Sequence, residues 1–315
     1  MSLKEILKSN KFIRTMHSEL NNFVFCMATL ISPRLNTQMR YRQVFGKKLN
    51  LKKPQTLNEK ILWLKLNNYI QNPLVIQCAD KYRVRYYVEK CGYGDILNDL
   101  MGVYERAECI PWEELPNQFV LKWNFGAGMN IICTDKSRMN KEEVIRQLMK
   151  WGKNKCWLSH SEMQYKYAPK RIICEKYLMN DDEPGVIPDY KVYCFHGEPI
   201  AILVMHDRGH EIKAEFFDTN WIPLENTKKY ETVNNPTIRP FCLENMMEAA
   251  KNLSKPFPFV RCDFYIVSGK LYFGELTFTP AGGLYLSQTR VNGKEMEEYL
   301  HIPTSKNTKF EKRGI

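Results

Sequence analysis

The sequence predicts a mixed α/β (α+β) protein in which a helical N-terminal region precedes two groups of short strands. Three observations predict this class. Residues 1–50 combine apolar and basic positions with few strand formers, which is typical of helices. After Pro111, short apolar runs alternate with glycines and helical segments, which is typical of strands. Two pairs of these runs are joined by tight turns, which is typical of β-hairpins.

The first part of the chain is predicted to be helical. The apolar stretch of residues 23–32 has about half the length that crosses a bilayer, so we expect a buried helix there, with a membrane-surface helix as the alternative. Apolar residues recur at helical spacing over residues 57–66. Residues 80–90 form a further predicted helix, with Asp80 as its cap and Gly92 just past its end.

The second part of the chain is predicted to be built mainly of strands. Short runs with strand character occupy residues 118–122, 130–133, 171–174, 189–195, 199–205 and 214–217. Residues 141–152 and 240–253 are predicted helices. Residues 260–276 are a predicted hairpin, and Gly269 fits a turn that needs a positive φ.

The composition indicates a folded protein with a basic surplus. Hydrophobic residues make up 44% and aromatic residues 12% of the chain, which excludes a disordered protein. The 46 basic and 35 acidic residues give a formal net charge of +11. This surplus favours anionic partners such as nucleotide phosphates, acidic glycans, anionic lipid or nucleic acid. A solvated basic face without a partner would produce the same surplus.

The 10 cysteines are scattered, mostly within apolar runs, and include no C-x-x-C pair. This pattern indicates reduced, buried thiols rather than a disulfide framework or a zinc site. The first residues lack an apolar core followed by a small-residue cleavage site, so no secretion signal is predicted. We therefore expect a cytoplasmic protein.

The predicted hairpin carries the strongest chemical signal. Arg261 and Asp263 lie two apart on its first strand, and Glu275 and Thr277 lie two apart on its second, so each pair shares a face. Two adjacent carboxylates repel each other unless a cation lies between them, and Mg²⁺ prefers such oxygen ligands. The neighbouring arginine could stabilise a phosphate or an oxyanion. An ordinary cross-strand salt-bridge cluster is the alternative.

Two further segments could contact a nucleotide. A strand delivers Lys122 into a loop containing Gly126 and Gly128, whose backbone amides could approach phosphates. The loop lacks both the P-loop and the dinucleotide pattern, and most such glycine pairs are plain turns. Residues 172–178 form a strand that exits into the acidic segment 179–183. That exit could hold adenine and ribose, or it could be a solvated strand end.

Taken in order, these segments resemble the ATP-grasp superfamily. Residues from about 55 to 295 resemble its TupA-like family, which occurs among genes of bacterial surface polysaccharides. The resemblance rests on four stretches: residues 57–66 (LNEKILWLKL), 79–85 (ADKYRVR), 189–195 (DYKVYCF) and 273–283 (FGELTFTPAGG). It implies an ATP-grasp fold, with two mixed α/β lobes clasping ATP behind the helical N-terminal region.

The resemblance implies a role for each residue of the site. Lys122, and less securely Lys81, would contact the phosphates beside Gly126 and Gly128. Glu175, Lys176 and Leu178 would line the adenine hinge. Asp182 or a neighbouring acid would hold the ribose, and Lys191 would reach the nucleotide or its γ-phosphate. Asp263, Glu275 and Thr277 would occupy the metal-ligand positions, and Arg261 would stabilise the acyl-phosphate or tetrahedral intermediate.

The resemblance also divides the chain into five segments. These are a helical extension (1–55), a helical or α+β region (56–115), a nucleotide lobe (116–180), a C-terminal lobe with the metal site (181–300) and a basic tail (301–315). Two positions depart from the family pattern: Thr277 stands where the superfamily usually has Asn, and Phe125 stands where the closer family is expected to have His. The first departure bears on the geometry of the second metal ion, and the second argues against a histidine acting in the glycine loop. Together they indicate either a narrowed substrate choice or a member with reduced activity.

The implied activity is an ATP-dependent ligation of a carboxylate to an amine through an acyl-phosphate, with ATP and two Mg²⁺ ions. The implied partners are a small amine or amino acid and a carboxylate-bearing sugar or lipid-linked glycan. No nucleic acid partner is expected. A further expectation is that the protein contacts the inner face of an anionic membrane peripherally. There are two alternatives. One is a glycosyltransferase that uses a nucleotide sugar, although the Asp-x-Asp metal motif typical of such enzymes is not evident. The other is a non-catalytic basic module that binds nucleic acid or membrane.

Overall fold

The computed structural model describes residues 11–180, 187–206, 213–225, 237–284 and 289–302. Its N-terminal region is helical, as the sequence predicts. Helix α1 spans Lys11–Ile31 and helix α2 spans Pro33–Phe45. Helix α2 begins with proline, whose missing N–H costs nothing in the first turn, and it ends at Gly46 with a left-handed φ of 70°.

Three further helices follow before the first strand: α3 (Leu57–Leu64), α4 (Pro73–Ala79) and α5 (Val84–Lys90). Helix α3 begins with a capping box between Thr56 and Glu59 and continues as a π-helix over Lys65–Tyr69. Helix α5 begins later than residue 80, where the sequence predicted its start. The Asp80 carboxylate accepts the N–H groups of Tyr82 and Arg83 at 2.8 and 3.2 Å, which folds residues 80–83 into a separate turn.

The prediction of a buried helix over residues 23–32 is only half right. The segment is helical, and Phe25 and Ala28 are each 4% exposed. The outward side chains of the same helix are not covered; Phe23 and Ile31, for example, are 61% and 75% exposed. Among the described residues, no helix is both long and apolar enough to cross a membrane.

Within residues 11–180, four antiparallel strands form the first sheet, in the order β1-β4-β2-β3. These strands are β1 (Leu100–Tyr104), β2 (Phe119–Trp123), β3 (Asn130–Cys133) and β4 (Ile172–Lys176). Helices α6 (Lys141–Gly152) and α7 (Cys156–His160) connect β3 to β4. Strand β1 was missed in the sequence because its five residues include a glycine and an exposed methionine, which obscure the alternation.

The second sheet, built from described residues between 187 and 284, is also antiparallel and has the order β7-β6-β5-β8-β9. Its strands are β5 (Asp189–Phe195), β6 (Glu198–His206), β7 (Lys213–Asp218), β8 (Phe259–Val267) and β9 (Lys270–Thr277). Helix α8 (Leu243–Ser254) precedes β8, and the short strands β10 (Arg290–Val291) and β11 (Lys294–Glu295) pair near the end of the described chain. The predicted hairpins and the third strand beside them are thus confirmed, as is the mixed α/β class.

The helices before β1 share their hydrophobic core with the second sheet. The Tyr69 hydroxyl donates to the Phe259 carbonyl at 2.7 Å, and the Tyr87 hydroxyl donates to the Leu253 carbonyl at 2.9 Å. Buried residues of α3, α4 and α5 belong to the same apolar cluster as β5, β8 and α8. The first sheet has its own cluster with α6, centred on Phe119, Leu121 and Leu148. The two sheets therefore have separate cores, and the helical region belongs with the second.

Candidate active site

The hairpin of β8 and β9 brings the four predicted polar residues together. Asp263 lies directly opposite Glu275, and Arg261 lies directly opposite Thr277. Gly274 is an extra, unpaired residue in β9, since Phe264 already pairs with Phe273. A Cβ on Gly274 would lie 2.9 Å from the backbone oxygen of Asp263. The bulge therefore requires glycine, and it sits immediately before Glu275.

Asp263 is the centre of a buried ionic network. It is 2% exposed and accepts hydrogen bonds from Arg261 Nε and Nη2 at 2.7 and 2.6 Å. The Lys191 ammonium on the neighbouring strand lies 2.8 Å from Asp263 and 3.0 Å from Asp189. Strand β5 delivers Asp189 and Lys191 to this face because they lie two residues apart. Two cations thus face two carboxylates away from water.

Burial and charge act against each other in this network. Burial lowers the pKa of Lys191, although Asp263 opposes that shift. Burial alone would lower the pKa of Arg261, but Asp263 raises it above its usual value. Burial would raise the pKa of Glu275, and Lys81, followed by Arg261 and Lys191, lowers it to about 2. Glu275 therefore stays ionised at neutral pH, as a metal-binding carboxylate must.

The first sheet presents its own paired charges. Lys122 on β2 and Glu175 on β4 share one face, and Lys122 Nζ lies 2.5 Å from Glu175 Oε2. Arg85 of α5 reaches the other oxygen of Glu175 at 3.5 Å. Glu175 is 8% exposed, whereas the Lys122 side chain is 27% exposed. The lysine is therefore accessible to a phosphate, and the carboxylate orients it.

Lys81 bridges the two sheets. Its ammonium donates to the Gly126 carbonyl at 2.8 Å and lies 3.1 Å from Glu275 Oε2. Its backbone N–H donates to the Asn124 carbonyl at 2.9 Å, which ties the segment to the glycine loop. Gly126 and Gly128 both adopt left-handed φ values, of 66° and 72°. The loop after β2 and the carboxylate pair on the hairpin therefore face the same ammonium group.

The predicted hinge lies at the end of β4, which contains Glu175 and Lys176 and ends two residues before Leu178. The Lys176 side chain is 60% exposed and points toward Asp99 at 3.8 Å. The Lys176 backbone is paired on both sides: its N–H donates to the Asp99 carbonyl at 3.0 Å, and its carbonyl accepts the Asn98 amide at 2.8 Å. Leu178 is half-buried two residues further on. The predicted ribose ligand Asp182 lies outside the described residues.

The two departures from the family pattern have different surroundings. Phe125 is 2% exposed, packs against Trp123 and lies 4.9 Å below the Lys170 ammonium. It therefore anchors the glycine loop in the core. Thr277 donates to Glu275 Oε1 at 3.2 Å and faces Arg261 Nη2 at 3.3 Å. Its hydroxyl oxygen thus lies within the polar cluster.

Several residues of the network were not singled out in the sequence. Arg85 lies four residues after Lys81, so helical spacing could have linked them. Asp189 lies two residues before Lys191, and strand alternation could have linked that pair. Glu162, which accepts the Thr279 hydroxyl at 2.6 Å, had no local signal because it comes from another part of the chain.

The residues of the hairpin fit a divalent cation. Within the described ranges, no group of three His, Cys, Asp or Glu residues is placed to hold a metal ion. However, Asp263 and Glu275 present adjacent carboxylates, and Thr277 adds a hydroxyl oxygen. Mg²⁺ commonly takes one or two carboxylates and completes its shell with phosphate oxygens and water. The donor set suits such an ion once the lysine and arginine partners are exchanged for it.

Comparison with known proteins identifies one family and several partial structural likenesses. The model of the TupA-like ATP-grasp family matches residues 59–300. D-alanine–D-alanine ligase from Bacillus anthracis is similar at 19% identity and a TM-score of 0.38, covering 64% of this chain and 57% of the ligase. Biotin carboxylase from Campylobacter jejuni is similar at 14% identity and a TM-score of 0.40, covering 70% and 42%.

A third structure, the ADP complex of N5-carboxyaminoimidazole ribonucleotide synthetase, shows 12% identity and a TM-score of 0.40, covering 65% of this chain and 45% of the synthetase. The matched part of the chain therefore spans 42% to 57% of the length of these three proteins. No curated protein matches the chain.

Proposed function

The chain belongs to the TupA-like ATP-grasp family, and we propose that it is an ATP-dependent carboxylate–amine ligase. The single observation that carries this proposal is the carboxylate pair Asp263 and Glu275, which faces Lys81 and the glycine loop. Adjacent carboxylates next to phosphate-binding lysines are what a Mg²⁺-nucleotide site needs. The family match likewise favours a ligase over the nucleotide-sugar glycosyltransferase alternative.

We propose that Lys122 and Lys81 bind the nucleotide phosphates. These ammonium groups are paired with Glu175 and Glu275. Phosphate oxygens would compete for them, and the 27% and 18% exposure of the two side chains leaves them open to such a ligand. Lys191, paired with Asp189 and Asp263, would lie toward the γ-phosphate, and the hinge residues Glu175, Lys176 and Leu178 with Asp182 would hold adenine and ribose.

The proposed reaction has two steps. A substrate carboxylate oxygen attacks the γ-phosphorus of ATP, the bond to the β-phosphate oxygen breaks, and ADP leaves. The amine nitrogen then attacks the acyl carbon, inorganic phosphate leaves with the bonding pair, and the nitrogen loses a proton to give the amide. Arg261 would stabilise the negative charge that develops on the acyl oxygens.

Mg²⁺, when bound, supplies positive charge that offsets the repulsion between the phosphates and the attacking carboxylate. Asp263, Glu275 and Thr277 are the residues that would hold it, and we propose two ions. The protein itself needs no covalent nucleophile for this chemistry. Its contribution is to position the two substrates and to keep the oxygen ligands ionised.

The substrates that we propose are an amino acid or other amine and a carboxylate-bearing sugar or lipid-linked glycan of bacterial capsule or cell-surface polysaccharide. The TupA-like family assignment is the support for this choice. We also propose that the enzyme works in the cytoplasm, and at the inner face of the membrane where the glycan is lipid-linked.

The test is a thermal-unfolding measurement with Mg²⁺ and a non-hydrolysable ATP analogue. At about one hundred times the Kd, a ligand stabilises the folded state by about 2.7 kcal/mol, which raises Tm visibly. We expect a shift for the wild type and for Lys141→Ala, because Lys141 pairs with Glu113, which is 87% exposed, and neither residue belongs to the proposed site. We expect Lys122→Ala and Glu275→Gln to lose the shift.

Product analysis completes the test. Incubation with candidate carboxylates and amines should release ADP and phosphate. Release of AMP would contradict the acyl-phosphate scheme, because AMP forms only after attack at the α- or β-phosphorus, whereas attack at the γ-phosphorus releases ADP. A thermal shift with a UDP-sugar but none with the ATP analogue would overturn the ligase proposal and favour a glycosyltransferase.

A further inference from the structure

Helix α1 carries an uncovered apolar stripe. Six large apolar side chains within twelve residues of this helix are between 43% and 75% exposed: Leu20, Phe23, Val24, Met27, Leu30 and Ile31. Their spacing of three and four residues places them on one face of the helix. Scattered apolar side chains are normal on a protein surface, but a contiguous stripe on one helix marks an interaction site.

The opposite face fixes the orientation of the stripe. Phe25 is buried beneath the Arg40 guanidinium, which lies 4.0 Å from the ring centre. The Thr29 hydroxyl lies 2.6 Å from the Leu158 carbonyl, and Asn36 of α2 donates to the Phe25 carbonyl at 2.7 Å. These contacts hold α1 against α2 and α7. The stripe therefore cannot turn inward without breaking buried hydrogen bonds.

The segment of the sequence that contains this helix carries most of the positive charge of the protein. Residues 1–50 contain nine lysines and arginines and two acidic residues, so they carry +7 of the net charge of +11. Arg34, Arg42, Lys47 and Lys48 of this segment are exposed. Arg34 follows the exposed end of the stripe at Ile31 by only three residues. An apolar stripe within a segment of high positive charge matches a surface that is apolar inside and anionic at its rim.

We propose that α1 docks the protein on an anionic lipid bilayer. The stripe enters the boundary between head groups and acyl chains, and the basic residues contact the lipid phosphates. The helix lies on the membrane, since no described helix is long and apolar enough to span it. A second copy of the chain fits less well, because pairing two α1 helices would bring two segments of charge +7 together. The docking does not depend on the proposed reaction.

Vesicle co-sedimentation with the full chain tests this proposal. We expect the protein to bind vesicles of 30% phosphatidylglycerol in phosphatidylcholine at least tenfold more tightly than vesicles of phosphatidylcholine alone. Because the attraction is partly electrostatic, binding should weaken as salt is raised to 0.5 M. Failure to bind the anionic vesicles at low salt would overturn the proposal.

A pair of matched variants distinguishes binding through the stripe from nonspecific binding through other exposed apolar side chains. Phe23→Ser with Leu30→Ser should reduce vesicle binding at least tenfold. Ile238→Ser with Phe241→Ser removes two apolar side chains that are 86% and 98% exposed outside α1, and should bind as the wild type does. Equal binding by both variants would contradict the proposal.

Two further measurements distinguish membrane docking from the proposed reaction and from self-association. The α1 variant should keep the wild-type thermal shift with the ATP analogue, so that failure of docking and failure of the ligase proposal are distinguished. Sedimentation velocity reports the oligomeric state of each protein. A wild-type dimer that becomes monomeric in the α1 variant, without vesicle binding, would assign the stripe to a second copy instead.

Discussion

Lys191 is a buried ammonium group that neighbouring carboxylates stabilise. Its side chain is 3% exposed, and it lies within 3.0 Å of both Asp189 and Asp263. An isolated ammonium in such a place would lose its proton or destabilise the fold, because burial removes its hydration. Two carboxylates offset that cost, and Arg261 supplies a second cation, so the cluster is nearly neutral.

We expect Lys191→Met to destabilise the protein strongly. The substitution preserves the length of the side chain but leaves Asp189 and Asp263 with one buried cation fewer. Removing one partner of a buried ion pair costs about 3–5 kcal/mol. Urea unfolding followed by circular dichroism would show this as a lower midpoint at an unchanged slope.

Lys251→Met is the control for that measurement. Lys251 and Glu198 form a pair at 2.9 Å whose side chains are 57% and 60% exposed. Because water solvates exposed partners, such a pair contributes about 0–1 kcal/mol. Similar midpoints for the two variants would show that the network around Lys191 adds no more than a surface pair does.

At the scale of the element, the β8–β9 hairpin depends on one bulge. Asp263 and Glu275 are opposite each other only because Gly274 is left out of the pairing. Without the bulge, Glu275 would shift by one position and point to the other face of the sheet. The two-residue turn of this hairpin has positive φ values at both positions, 47° at Ser268 and 75° at Gly269, as a type I′ turn requires.

We expect Gly274→Ala to disturb both stability and nucleotide binding. The added Cβ would lie 2.9 Å from the Asp263 carbonyl oxygen and 3.0 Å from the Tyr265 ring. Relieving that crowding moves backbone next to Glu275 and costs about 1–3 kcal/mol. The measurements are the urea midpoint and the thermal shift with the Mg²⁺–ATP analogue, both of which should fall.

Gly94→Ala provides the matched glycine control. Its added Cβ would meet only Glu89 Cγ at 3.5 Å, an ordinary contact, and its φ is not in the left-handed region. We expect its free energy of unfolding, obtained from the urea midpoint, to stay within about 0.5 kcal/mol of the wild type. If Gly274→Ala behaved in the same way, the bulge would not need a glycine.

At the scale of the whole molecule, the N-terminal helices support the loop that follows β9. The Asn58 amide donates to the Gly283 carbonyl at 3.0 Å, and the Thr279 hydroxyl donates to Glu162 at 2.6 Å. Lys65 donates to the His160 carbonyl at 2.9 Å, and His160 itself packs against Gly282. Segments far apart in the chain thus meet beside the candidate active site.

His160 should make the stability of this junction depend on pH. Burial, followed by Arg40 and Lys65, lowers its pKa from 6.5 to about 4. Below about pH 6.5 the unfolded chain binds a proton that the folded chain does not, so stability is lost as the pH falls toward 4. From pH 7 to pH 5, this group should cost about 1–2 kcal/mol of unfolding free energy.

His160→Gln should remove that loss, and His17→Gln, at an exposed position of α1, should keep it. The measurement is the urea midpoint of each protein at pH 7 and pH 5. The same pH dependence in the wild type and in His160→Gln would mean that His160 titrates equally in the folded and unfolded chain.

The sequence alone determined most of the local structure. The helix over residues 141–152, strand β5 and the β8–β9 hairpin follow from periodicity and turn residues, which act over a few neighbouring positions. Asp263 and Glu275 were expected to lie side by side and do so, but their pairing depends on the bulge at Gly274, which a regular two-residue hairpin does not predict. The assignment of roles to those residues came instead from the resemblance to a family and is still to be tested by experiment.

Only the tertiary structure decided which distant segments meet. It places Lys81 between Gly126, in the loop after β2 of the first sheet, and Glu275, on β9 of the second sheet. It also leaves the outer face of α1 uncovered, where the local pattern suggested a buried helix. Local periodicity tells which face of an element is apolar. It does not tell what covers that face, because burial depends on packing between elements that are far apart in the sequence and meet only in the folded protein.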